Sequence, residues 1–174
     1  RQILQGMDSR ALSSDALAWR EVYLGNLSLR EEMRDDAIDH WLSAVSNSND
    51  KPTLAAITAA RSLGMSMIRR GEHSNAVKWF TWMQSAEIDS QSAPLLAESA
   101  ICLGRYAQKD RDYPTAAGWY AKARKLSQGT GDREHALEAA MEEVGMVLEL
   151  AGRGKGSYEE SALYAAQVLS DYSD

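Results

Sequence analysis

The sequence predicts an all-α protein built from helix-turn-helix pairs, and three observations support this fold class. A leucine-glycine pair recurs at Leu24-Gly25, Leu63-Gly64 and Leu103-Gly104. Each glycine is followed by alanine after twelve residues, by an aromatic residue after sixteen and by another apolar residue after nineteen. All three prolines fall at predicted helix starts, and no stretch alternates polar and apolar residues as a half-buried strand would.

The second copy shows how one pair would form from its residues. Gly64 lacks a Cβ atom, so the neighbouring helix can approach it closely, and Gly71 suits the positive φ at which a helix stops. Ser74 is predicted to cap the next helix, in which Ala76, Phe80 and Met83 recur on one face. We call the first helix of each pair the outgoing helix and the second the return helix.

A fourth copy begins in the same way and then departs. Val144-Gly145 opens it, but the residue twelve positions later is Ser157, inside the run GRGKGS. Loops accept insertions at low cost, so we interpret this run as a turn enlarged by roughly four residues. The last return helix is accordingly predicted over about Tyr158–Ser170.

The repeated spacing resembles the tetratricopeptide repeat (TPR), whose features include Leu-Gly in the first helix and small and aromatic positions in the second. The resemblance implies a right-handed superhelix, an α-solenoid of helix pairs. The glycines are 39, 40 and 41 residues apart, against a nominal 34 in that family. HEAT repeats of similar period are the alternative, which the Leu-Gly, alanine and aromatic spacing disfavours. The predicted repeats span 14–50, 52–91, 92–130 and 131–174, and 1–12 would end a preceding repeat.

Composition excludes several classes of function. The net charge is −6 and the isoelectric point about 5.1, which disfavours nucleic-acid binding. No apolar run approaches the ~18 residues of a membrane span. The chain opens at Arg1 without a signal-peptide pattern and is interpreted as a segment of a longer protein. Localisation therefore stays open, with the cytoplasm favoured over the periplasm, and the sequence does not decide the oligomeric state.

No pattern of catalytic or metal-binding residues is present, so the sequence predicts neither an enzyme nor a cofactor. His40, His73 and His135 lack metal-ligand spacing, and Cys102 is interpreted as inert packing. The run GRGKGS breaks the order of a phosphate loop and follows a predicted helix rather than a strand.

The five tryptophans have different predicted roles. Trp41 occupies the inward aromatic position of a return helix and is predicted to lie in the core. Trp79, Trp82 and Trp119 are predicted to fill gaps between successive repeats, since each pair must bury a face on its neighbour. Trp19 lies on an outgoing helix, and core and groove remain equally open for it.

The resemblance also implies that outgoing helices line the concave side, where a partner would bind. On each such helix one stripe is predicted to face away from the core of its pair. The candidate groove residues are Trp19, Val22, Asn26 and Arg30; Arg61, Met65 and Arg69; Glu98, Ile101, Arg105 and Lys109; and Glu142, Met146 and Glu149. The middle of this series is basic, which favours a partner protein with a central acidic segment.

Two function classes remain. The favoured one is a noncatalytic scaffold whose groove holds a peptide or helix of a partner protein. The rival is a structural spacer within a larger machine, such as a bacterial envelope or polysaccharide-export assembly. Co-chaperones of the family bind a C-terminal carboxylate through Lys, Asn and Arg, but the matching positions here are Val22, Asn26, Ser62, Glu98 and Cys102. Only Asn26 agrees, so that subclass is disfavoured, as are helical-pair RNA binders, because the chain is acidic.

Overall fold

The computed structural model describes residues 12–48 and 52–172, and within them the protein has eight helices and no strand. Seven of the eight helices have at least thirteen residues, which identifies the all-α class. The helices are α1 (Ser14–Arg30), α2 (Arg34–Ser46), α3 (Leu54–Arg69), α4 (His73–Met83), α5 (Ala93–Lys109), α6 (Tyr113–Thr130), α7 (Arg133–Gly152) and α8 (Tyr158–Ser170). One pair falls within each predicted repeat range. The predicted end of a preceding repeat over 1–12 lies outside the described residues, apart from Leu12.

The chain divides into two compact units, 1–87 and 88–174. In the first, α1 packs on α2 and α3, α2 packs on α3, and α3 packs on α4. In the second, α5 packs on α6 and α7, α6 packs on α7, and α7 packs on α8. Within each unit, every helix thus contacts its neighbours in sequence, which is consistent with a helical repeat.

A glycine of the outgoing helix lies directly against an aromatic ring of the return helix in the first three pairs. All three rings are at most 2% exposed, and their pairing confirms the predicted close approach. A Cβ atom added to the glycine would lie 2.5–2.7 Å from the ring in each pair: Gly25 with Trp41, Gly64 with Phe80, and Gly104 with Tyr120. Real Cβ atoms essentially never make contacts so short, so a side chain at these positions would force the ring to shift.

The fourth pair departs from this arrangement, as predicted. A Cβ atom at Gly145 would meet nothing within 4 Å. Tyr158, at the start of α8, instead places its hydroxyl 2.8 Å from the position of a Cβ atom on Gly152. The enlarged turn contains Gly154 and Gly156 at φ of 72° and 138°, and α8 has the predicted bounds.

The ends of the first three outgoing helices share one backbone geometry. The residue seven positions after the repeat glycine is left-handed in each: Glu32 at φ 63°, Gly71 at 75° and Arg111 at 62°. The next residue donates its N–H to the carbonyl five positions back at 2.9 Å, the pattern of a Schellman motif. α4 begins at His73, directly after this turn, and its N-cap is Glu72. The predicted cap at Ser74 is therefore wrong.

Replacing a strained left-handed residue by glycine should stabilise the protein. We expect Arg111→Gly to raise the free energy of unfolding by roughly 0.5–1 kcal/mol, the left-handed penalty of an L-residue less the entropy lost by glycine. Urea denaturation followed by circular dichroism measures the change. The matched control, Gly71→Ala, should shift the midpoint in the opposite direction, and a lower midpoint for Arg111→Gly would contradict the assignment.

Candidate functional site

Most of the predicted groove residues reach the surface. In the first unit Asn26, Arg30 and Arg69 are exposed, while Trp19, Arg61 and Met65 are half-buried. In the second unit Arg105 and Lys109 are exposed, and Glu98 and Glu142 are half-buried. Trp19 packs on the core cluster of the first unit, with its ring 6.1 Å from that of Tyr23.

Three predicted groove residues instead lie in the core, so their assignment to a binding surface was wrong. Val22, Ile101 and Met146 are only 1%, 3% and 6% exposed. Val22 of α1 joins one cluster with Ala55 and Ala59 of α3, and Ile101 and Met146 join another that unites α5 and α7. In each unit the first outgoing helix therefore buries a second face against the next outgoing helix, α1 against α3 and α5 against α7.

A cavity of about 550 Å³ in the first unit gathers four arginines where α1 and α3 end. Two of them, Arg30 and Arg69, are predicted groove residues. Its lining, which we call the arginine pocket, consists of Leu29, Arg30, Glu32, Arg34, Ser66, Arg69 and Arg70. Glu32 is the acidic residue of this lining, and Arg70 also makes an ion pair with Asp35, whose side chain is 88% exposed.

Local helix geometry explains how these residues meet. Arg30 and Arg69 close the last turns of α1 and α3, where a cation complements the helix dipole. The chain turns at the left-handed residue Glu32. This turn places Arg34, the first residue of α2, in the lining of the same cavity. The Schellman turns thus position the pocket as well as ending the helices.

Arg34 and Arg70 were not predicted as members of a site, because no repeated spacing marks them. Arg30, Arg69 and Lys109 each lie five residues after a repeat glycine, so the three regular repeats share a basic position. Arg34 and Arg70 do not share such a position. These two residues become neighbours of Arg30 and Arg69 only when α1, α2 and α3 pack together.

In the second unit, a carboxylate offsets the positive charge of the predicted groove residue Arg105. Arg105 of α5 makes an ion pair with Glu138 of α7, and both side chains are at least one third exposed. Such a surface pair is worth little in stability, about 0–1 kcal/mol, but it offsets the charge that a ligand would meet. Nearby, burial and then Glu142 raise the pKa of Tyr120 to about 12, and its hydroxyl donates to Gln108 Oε1 at 2.9 Å.

A second cavity in the first unit, of about 430 Å³, is mainly apolar. Trp79 and Trp82 meet edge to face at 6.4 Å, and Trp79 also packs on the core cluster formed by α1, α2 and α3. The lining, which we call the tryptophan pocket, is formed mostly by the return helices: Ile38, Leu42, Met67, Asn75, Lys78, Trp79 and Trp82.

Three polar side chains form a cluster across α6, α7 and α8, in which Glu143 is buried and Tyr164 is 38% exposed. The carboxylate of Glu143, 3% exposed, accepts hydrogen bonds from Arg124 Nε at 2.8 Å and from the Tyr164 hydroxyl. The hydrogen bond to Glu143 raises the pKa of Arg124, while burial and then the same carboxylate raise that of Tyr164. These hydrogen bonds link α6, α7 and α8, so we interpret the cluster as structural.

Two sites are absent from the described part of the chain. Residues 12–48 and 52–172 contain no group of three or more His, Cys, Asp or Glu side chains that could hold a metal ion. None of the helices in those ranges combines the length and the apolar character that a membrane span requires. Comparison with models of known protein families and with curated protein sequences finds no match to this chain.

Proposed function

We propose that the helix pairs are tetratricopeptide-like repeats and that the chain is a noncatalytic scaffold that binds an acidic segment of a partner protein. The spacing of glycine, alanine and aromatic residues supports the repeat assignment, as does the ring-on-glycine packing in three pairs. One observation carries the binding role: four arginines line a single cavity of about 550 Å³.

Charge and geometry both favour an acidic ligand. Guanidinium groups present planar forks of N–H donors that match carboxylate oxygens two by two. The lining carries four positive charges against the one negative charge of Glu32, although the whole chain is acidic. A ligand rich in Asp and Glu would therefore be drawn to this cavity and repelled from most of the remaining surface.

A labelled peptide of alternating Glu and Gly tests the proposal by fluorescence anisotropy. We expect Arg30→Glu and Arg69→Glu each to weaken binding about tenfold, which corresponds to ~1.4 kcal/mol. Affinity should also fall with added salt, since the Debye length is ~10 Å at 0.1 M ionic strength.

Lys155→Glu is the matched control, because this exposed lysine in the enlarged turn reverses the same charge away from the pocket. It should leave the affinity unchanged. Binding that ignores Arg30 and Arg69, or that falls equally in the control, would contradict the proposal. A loss confined to Lys78→Glu would move the binding surface to the tryptophan pocket of the return helices.

A further inference from the structure

The arginine pocket differs from other arginine sites of the protein in its charge balance. Elsewhere in residues 12–48 and 52–172, a guanidinium group typically meets one carboxylate: Arg124 meets Glu143, Arg153 meets Glu149, and Arg105 meets Glu138. A single carboxylate is thus enough for a single arginine in this fold. The pocket gathers four arginines with Glu32 in its lining and Asp35 paired to Arg70.

The lining carries a surplus of positive charge. Counted over the lining residues and Asp35, four guanidinium groups against two carboxylates give a formal charge of +2. A phosphomonoester carries about −1.5 to −2 at pH 7 and offers three strong acceptor oxygens, so one such group would balance the pocket. A carboxylate carries −1 and two oxygens, and would leave half of the surplus unmatched.

Helix stabilisation does not explain why Arg34 is present. Arg30 and Arg69 lie at helix C-termini, where a cation is favourable. Arg34 is the first residue of α2, where the positive pole of the helix dipole disfavours a cation. The N-cap residue Met33 makes no side-chain hydrogen bond there. Arg34 therefore adds positive charge at a helix end that already favours an anion.

We propose that the arginine pocket binds a phosphorylated side chain within the acidic segment of the partner, an inference that rests on the function proposed above. Arg30, Arg34 and Arg69 would donate to the phosphate oxygens, with the Ser66 hydroxyl lining the same cavity. The volume of about 550 Å³ exceeds what a phosphate group needs, which leaves room for the side chain that bears it. Phosphorylation of the partner would then control its docking.

Isothermal titration calorimetry with three peptides tests the proposal. The peptides are Gly-Glu-Glu-X-Glu-Glu-Gly with X as phosphoserine, glutamate or serine. We expect the phosphoserine peptide to bind at least about tenfold more tightly than the glutamate peptide. Arg34→Gln and Arg69→Gln should abolish that preference, whereas Lys155→Gln should retain it. Thermal melts of each variant confirm that it is folded.

The outcomes separate the two proposals. Equal affinity for the phosphoserine and glutamate peptides, with dependence on the arginines, would overturn the phosphate inference and leave acidic-segment binding standing. Absence of binding by every peptide would overturn both. Arginine-dependent binding to vesicles containing a phosphoinositide, without a preference for the phosphoserine peptide, would show a lipid headgroup to be the ligand and overturn the inference.

Discussion

Phe80→Ala is expected to lower the free energy of unfolding by ~3–5 kcal/mol. The ring is 1% exposed, and it rests on the bare backbone of Gly64 in the neighbouring helix. Removing it leaves a cavity that cannot close unless α3 and α4 move together, so lost burial and lost packing both contribute. Urea denaturation followed by circular dichroism and tryptophan fluorescence measures the change.

Two glycine variants serve as the control for this packing. A Cβ atom at Gly64 would lie 2.6 Å from Phe80 Cε1, so Gly64→Ala should cost ~1–3 kcal/mol through overpacking. Gly118 lies exposed within α6 with nothing near its Cβ position, so Gly118→Ala should stabilise by up to ~1 kcal/mol. Unchanged stability in both Phe80→Ala and Gly64→Ala would show that this interface is misplaced.

Arg124→Met should be comparably destabilising, by ~3–5 kcal/mol, because it leaves the Glu143 carboxylate buried without its cation. The hydrogen bond from Tyr164 remains, but a neutral donor compensates a buried charge only in part. Chemical denaturation at pH 7 gives the difference. An Arg124→Met variant within 1 kcal/mol of the parent protein would contradict the structural role of the cluster.

The double variant Arg124→Met/Glu143→Leu distinguishes loss of an ion pair from loss of packing. Replacing both charges by apolar groups of similar size is often neutral or stabilising, so the double variant should recover most of the loss. If its stability instead equals the sum of the two single losses, the side chains act independently.

The regular parts of the fold could be predicted from the sequence because they depend on local spacing. The distances from Gly25, Gly64 and Gly104 to their aromatic partners fix which helix faces meet, and those pairs are present. The delayed start of α8 followed from counting residues across GRGKGS. Gly71 adopts the positive φ that its position after α3 predicts.

The remaining features depend on contacts between distant segments. Val22 and Ile101 were assigned to a groove because a pairwise view gives each outgoing helix one packed face, whereas α1 and α5 have two. Glu143 is adjacent to Glu142 in sequence, yet it faces Arg124 and Tyr164 on other helices. The arginine pocket likewise needs three helix ends in place before its members become neighbours.

The ring-on-glycine contact also makes substitutions at two positions depend on each other during evolution. A side chain at Gly64 would collide with Phe80, so a larger residue at position 64 is best tolerated together with a smaller one at position 80. Such contacting positions are strongly coupled, and their substitutions should appear in descendants as correlated pairs sixteen residues apart. A Cβ atom at Gly145 would meet nothing within 4 Å, so this position can change without a matching substitution elsewhere. Relatives of this chain should therefore show covariation in the first three repeats and independent change in the fourth.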